Sequence, residues 1–507
     1  MVAVTPLDTQ LTLSQSTAGG PPSLGNQVGR SFGWAFLNMF VSRIAIFLTG
    51  IALARLLSPK QFGVYAVALT AMSLLMTLND VGVIPTIIRW QGDTNDIVST
   101  GRTLSLASSV ALYAITFAGA PFFASALGAP EATGVLRVLA LTIIIDGIVA
   151  IPLGLLSREF RQDRQLFAEL PGLAVYIAGA LLLAANGFGP WSIVVGRLGG
   201  AAVTGLLMVL LAPHHRGGFG FERTIAGEMM RFGMPLAVSI FIQELILNID
   251  YIVVGTMLGT TSLGLYLLAF NLSSLPVNLV ARAVDRVAFA GFSRLIHDKR
   301  KAAEALIGAT GLLVTLLVPF VTIIAILSQQ IVQFVYSSKW LPAAVPLRYL
   351  VFLGGARVIF EVCIDFVVAH GNSKWALWLR LVWFVALIPA LMLGAHTDNI
   401  RGVGIAHITV AGFVIFPLIL VMLNRQGISV ARFLSTFIRP LLAIAPAIVG
   451  MVLVRNVSSN NFLEILIVGT VGTLLYILCV LPGNNALLKP IIKIRNRKSN
   501  PADTVTV

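Results

Sequence analysis

Residues 34–88 read WAFLNMFVSRIAIFLTGIALARL-LSPKQF-GVYAVALTAMSLLMTLNDVGVIPTII: two long apolar runs joined by a six-residue polar turn. A hydrocarbon layer of roughly 30 Å takes about 20 apolar residues per helical crossing, and each run meets that length. The same signature continues along the chain. Fourteen crossings are predicted, at about 34–56, 63–88, 103–127, 135–156, 170–187, 190–212, 232–258, 263–281, 305–327, 343–369, 375–395, 402–423, 437–455 and 463–481. The runs are continuous and rich in Leu, Ala and Ile, where a membrane β-barrel would show short alternating segments. The expected fold class is therefore an all-α polytopic membrane protein.

Composition agrees. Of the 507 residues, 57% are hydrophobic and only 11% charged, against about 25% charged in soluble domains. The net charge of +14 falls mainly in the loops that flank the membrane, which excludes a nucleic-acid footprint and assigns the charge to topology and to anionic lipid headgroups. With the N-terminus inside, 24 Lys and Arg lie on the cytoplasmic side, and six lie opposite: Arg55, Lys60, Arg137, Lys339, Arg401 and Arg455. Both termini are thus expected in the cytoplasm. Residues 1–29 are rich in Ser, Thr, Gly and Pro, lack a basic start and read as a disordered cytoplasmic tail. The run Lys489, Lys493, Arg495, Arg497, Lys498 makes 482–507 a basic cytoplasmic tail.

The chain also repeats itself. Leu57, Gly63, Tyr65 and Ala68 recur as Leu258, Gly264, Tyr266 and Ala269, and Phe32-Gly33 recurs as Phe232-Gly233. Six crossings separate equivalent points, so the halves run parallel, related by an axis along the membrane normal. This predicts an N-lobe of helices 1–6 (30–212), a cytoplasmic linker (213–231), a C-lobe of helices 7–12 (232–423) and two added helices (437–481).

No connection is long enough for a catalytic or nucleotide-binding domain, and no GxxxxGK[ST] loop is present, so neither an enzyme nor an ATPase is expected. Cys363 and Cys479 sit in separate crossings and His214 and His215 lack companion ligands; no metal site or cofactor follows. Function is instead sought in charges within the crossings, each costing on the order of 2.5–3.5 kcal/mol at mid-membrane. Arg357, Glu361 and Asp365 are spaced by four, which at about 100° per residue puts them on one face. Together with Arg43, Arg197 and Arg380, Arg357 forms a guanidinium set suited to a diphosphate, since the planar fork binds phosphate oxygens in pairs and keeps its charge. Internal ion pairing between lobes is the competing assignment. Glu244 and Asp250 in crossing seven are the acidic counterpart, either pairing those arginines or binding a coupling ion, a proton or sodium.

Residues 57–67, LSPKQFGVYAV, resemble the first outside turn of the polysaccharide transporter family, the Wzx-type oligosaccharide flippases of the multidrug/oligosaccharidyl-lipid/polysaccharide superfamily. Ser157-Arg158-Glu159-Phe160-Arg161, Gly187-Phe188-Gly189-Pro190-Trp191 and Lys339-Trp340-Leu341-Pro342-Ala343 resemble its recurring motifs. The resemblance implies a bacterial inner-membrane protein that moves a polyprenyl-diphosphate-linked glycan outward by alternating access, alongside polysaccharide polymerase machinery, with Arg43, Arg197, Arg357 and Arg380 supplying the cationic cavity. A cation-coupled drug exporter or peptidoglycan-precursor flippase of the same superfamily, and a membrane-embedded enzyme of glycan assembly, stand as alternatives.

Overall fold

A computed structural model describes residues 24–79, 82–90, 94–212, 218–294, 298–455, 457–458 and 460–481. Residues 1–23 of the expected N-terminal tail, the predicted basic tail 482–507, the loop histidines His214 and His215, and the side chains of Phe32 and Phe232 lie outside the described residues, whereas residues 24–29, expected in that N-terminal tail, are helical at the start of the first helix. The described chain is helical, with no strand among the described residues. Its helices are α1 Leu24–Leu56, α2 Pro59–Asn79, α3 Val83–Arg89, α4 Thr94–Ala126, α5 Ala132–Leu139, α6 Leu141–Arg158, α7 Gln162–Ala185, α8 Pro190–Leu211, α9 Arg223–Arg294, α10 Lys299–Ile326, α11 Ser328–Tyr336, α12 Ala344–Ala369, α13 Ser373–Val410, α14 Phe416–Arg425, α15 Val430–Leu453 and α16 Asn461–Val480.

Ten stretches of the described residues are long and apolar enough to cross a membrane. Two of them, Arg223–Ser274 and Lys374–Arg425, run to 52 residues, about 78 Å if straight. Neither is straight. Gly259 leaves helical geometry at φ 78, ψ 177, and beyond it Tyr266 bonds to Asp250; residues 16 apart in an unbroken helix would stand about 24 Å apart. In α13 the break is at Asp398 and Asn399, and Gly394 lies against the backbone of Gly402. Each long element is therefore a helical hairpin, and helix–helix contact replaces the loops expected between crossings. Helix α12 is absent from the ten because Arg348, Arg357, Glu361 and Asp365 make it too polar.

Other elements depart from the expected boundaries in the same way. Crossing two is split where Gly82 adopts φ 80 between α2 and α3, and crossing four is assembled from α5 and α6. A π-helical turn at Ala411–Ile415 interrupts crossing twelve. Pro319 and Pro446 sit inside continuous helices, and Pro389 lies in the first arm of α13 before its break, so the breaks fall at glycines and a polar pair rather than at these prolines.

Packing depends on close backbone approach. Gly172 of α7 and Gly200 of α8 each oppose the other's carbonyl, and Gly196 lies against Ala180, the small-residue contact expected where lipid supplies no hydrophobic drive between helices. The repeat shows itself in space as well. A Cβ on Gly63 would run into the Thr260 carbonyl, and one on Gly264 would run into the Pro59 carbonyl. The two contacts interchange under the repeat, as a two-fold axis between α2 and α9 requires. Large apolar side chains such as Phe122, Leu182, Leu206, Val385, Leu393, Phe413 and Leu442 are left on the outside, where a hydrocarbon phase would cover them.

Candidate functional site

Two polar centres form around the paired tyrosines of the repeat. In the first half, Arg197 of α8 donates from Nη1 to the Tyr65 hydroxyl of α2 at 3.2 Å. Asp146 of α6 and Tyr176 of α7 are close enough for their charge or dipole to act on the same guanidinium. Four helices thus converge on Arg197. Surrounded in this way, Arg197 and Asp146 nevertheless keep accessible surface, the combination expected of groups lining an internal cavity. Burying a charge without partners costs several kcal/mol; here a tyrosine and a carboxylate offset part of that cost.

In the second half the equivalent tyrosine is locked away. Tyr266 donates to Asp250 Oδ2 at 2.8 Å and lies 3.0 Å from His407 Nε2, and the imidazole stands 3.6 Å from the same carboxylate. All three are nearly inaccessible, at 0%, 2% and 5% for Tyr266, Asp250 and His407. The Tyr251 ring meets Tyr266 edge-on at 5.8 Å, and Arg357 of α12 is near enough for its charge to reach both hydroxyls. His407 Nδ1 is buried with no hydrogen bond.

The remaining predicted residues divide between these centres and their surroundings. Arg357, Glu361 and Asp365 are half-buried while Val358, Val362, Cys363 and Ile364 between them are buried, so the charged stripe is the more open face of α12. Glu361 pairs with Arg380 of α13 at 3.6 Å, an ion pair within the second half of the chain rather than the pairing between lobes named as the competing assignment. Glu244 is half-buried and accepts from Asn248 Nδ2 at 3.1 Å. Arg43 is exposed on α1. Sequence reasoning singled out Asp250 and Arg357 but missed His407, a lone imidazole in an apolar crossing, and gave Tyr65 and Tyr266 only an architectural meaning. The repeat was the available signal, since it placed one tyrosine in each half at matching depth.

The chain is 28% identical over 490 residues to the succinoglycan biosynthesis transport protein ExoT of Rhizobium meliloti, covering 94% of this chain and 97% of that one. It is 22% identical over 364 residues to the lipopolysaccharide biosynthesis protein WzxC of Escherichia coli, covering 71% and 73%. Its fold matches that of the lipid II flippase MurJ in an inward closed conformation with a TM-score of 0.74, at 16% identity, over 89% of this chain and 99% of that one. A family model described as polysaccharide biosynthesis protein matches residues 52–345, more than half of the sequence, and the chain belongs to that family.

Proposed function

We propose that the protein is a flippase that carries a polyprenyl-diphosphate-linked oligosaccharide from the cytoplasmic to the outer leaflet of a bacterial inner membrane, by alternating access, for cell-surface polysaccharide assembly. The observation that carries this is Arg197, enclosed by α2, α6, α7 and α8 yet accessible. A guanidinium kept charged and open inside a membrane-length bundle offers two parallel donors to an anion, and a diphosphate presents the matching oxygens. Arg43 and Arg357 extend the cationic surface, while Arg380 is held by Glu361 and is freed only if that pair opens. The names of ExoT and WzxC, a transport and a lipopolysaccharide biosynthesis protein, support a glycan cargo.

We infer fourteen crossings: the ten candidates, one more for each hairpin, and α1 and α12. They form an N-lobe at 30–212, a C-lobe at 232–423 and an accessory pair at 437–481, with both termini cytoplasmic as the basic loops dictate. Asp250 and Glu244 in the C-lobe are the proposed place where a proton or sodium ion is coupled to transport, since alternating access needs a ligand with unequal affinity for the two states. The protein transports and does no covalent chemistry.

The test is a proteoliposome assay with a fluorescent polyprenyl-diphosphate glycan and an impermeant quencher. Arg197→Ala is expected to slow flipping by at least about tenfold, the loss of one charge-assisted contact, with normal membrane insertion, and Arg197→Lys to retain part of the rate. Wild-type protein that leaves the glycan unmoved but expels a cationic dye would replace this function with drug export.

A further inference from the structure

Two helix ends are tied together by bonds that the transport site does not use. Helix α1 ends at Leu56, and its carbonyls at Ala54 and Arg55 accept hydrogen bonds from Trp340 Nε1 at 2.6 Å and Lys339 Nζ at 2.7 Å. Helix α11 ends at Tyr336, and its carbonyls at Phe334 and Val335 accept from Arg55 Nη2 at 2.7 Å and Nε at 2.9 Å. Each helix C-terminus is thus capped by side chains of the other segment. The last four carbonyls of a helix lack internal partners and carry partial negative charge, so cationic donors there are doubly favoured. Trp340 is wholly buried and meets the Phe62 ring of α2 edge-on at 5.4 Å. The partners stand about 280 residues apart in sequence: α1 and α2 open the N-lobe, whereas α11 and the 3-10 turn Ser338–Ala343 join α10 to α12 of the C-lobe.

We propose that this reciprocal cap is a latch that holds the two lobes together at the outer face and must release each time the cavity opens outward. The chemistry suits a reversible contact. Arg55 and Lys339 are exposed, so on release their charges pass to water rather than into a buried, unpaired state. Partial burial against α1 lowers the Lys339 ammonium pKa from its usual value, in keeping with a group that gives up some water to reach the Ala54–Arg55 end. Only the Trp340 N–H and ring must leave a dry site, and they set the barrier. Every acceptor is a backbone carbonyl, so no single side-chain deletion removes the whole latch, and its strength is graded. The glycine contact of Gly63 with Thr260 and Gly264 with Pro59 stands near the same helix ends and gives the closed lobes a flush seat.

The assignment of this face to the outside rests on the topology proposed above, but the test does not need a transported substrate, so failure of either idea is seen separately. Spin labels placed by Ser125→Cys at the end of α4 and Val345→Cys at the start of α12, both exposed, in a Cys479→Ser background, report the separation of the lobes in lipid nanodiscs by pulsed electron resonance. The latched protein is expected to show one dominant short distance. Arg55→Gln and Lys339→Met, both surface changes that leave the core intact, should each raise the ratio of long to short distances by about tenfold, as loss of a charge-assisted bond implies. Trp340→Phe, which keeps the ring contact with Phe62 and deletes only the N–H, should do the same. Distance distributions identical to the unaltered protein in Arg55→Gln and Lys339→Met would overturn the latch, whatever becomes of the tryptophan variant.

Discussion

Asp250 is the residue whose replacement should be felt most strongly in the fold itself. Its carboxylate accepts the Tyr266 hydroxyl at 2.8 Å and faces His407 Nε2 at 3.6 Å in a site sealed from solvent. A hydrogen bond to a charged group contributes about 1.5–3 kcal/mol, and stranding a buried partner brings the loss to about 3–5 kcal/mol. Asp250→Ala should therefore destabilise the protein by about 3–5 kcal/mol, and Tyr266→Phe, which keeps the ring and removes one donor, by about 1.5–3 kcal/mol. Because the two share one bond, the double variant should cost less than the sum by about 1.5 kcal/mol or more. The assay is reversible unfolding in mixed micelles, followed by fluorescence, for the four members of the cycle. Strict additivity, with coupling under about 0.5 kcal/mol, would refute the buried network as an energetic unit. His407→Gln then serves as an internal check, since it should couple to Asp250 and not to distant Gly172.

Arg357→Ala should abolish polysaccharide export in cells at normal protein level, with Arg357→Lys restoring part of it; full export by the alanine variant would remove Arg357 from the cavity surface. Gly264→Val should push α9 from α2, because its Cβ would run into the Pro59 carbonyl, and overpacking of this kind costs about 1–3 kcal/mol, read as a lower unfolding midpoint. Asp298 caps α10 by accepting from the Lys301 N–H at 3.1 Å, with the Lys301 ammonium also 3.1 Å away; these hold its carboxyl below the usual range. The cap should be at full strength above the unfolded carboxylate value of about 4 and fade as pH falls below it, so amide exchange at residues 301–303 should quicken at low pH, and be insensitive to pH in Asp298→Ala after correction for intrinsic rates.

Long apolar runs made the membrane helices legible, because a crossing needs length and composition and little else. The hairpins were legible only as pairs of runs: nothing in the apolar pattern announces that Gly259 or Asp398–Asn399 reverses the chain without leaving helical contact. Arg197 and Asp250 stood out because charge is costly in hydrocarbon. Their partners did not, since Tyr65, Tyr176 and Tyr266 are ordinary membrane residues and a tyrosine's role depends on which hydroxyl it meets in space. His407 belongs to the same class, a lone imidazole in an apolar stretch of sequence that only tertiary contact marks out. Arg55, Lys339 and Trp340 were noted for their side of the membrane or their motif, and their mutual capping across some 280 residues has no local trace.

The reciprocal seating of Gly63 on Thr260 and of Gly264 on Pro59 carries an implication for ancestry. In a homodimer of a single half-length chain, one glycine would have satisfied both contacts at once, because each copy would present to its twin the very surface it received. Fusion into one polypeptide separates those duties into two codons, free to diverge. A difference between the halves is visible around the paired tyrosines: one has an accessible arginine and the other a sealed carboxylate and imidazole. A symmetric ancestor would have had to choose a single chemistry for both positions, whereas the fused chain holds two.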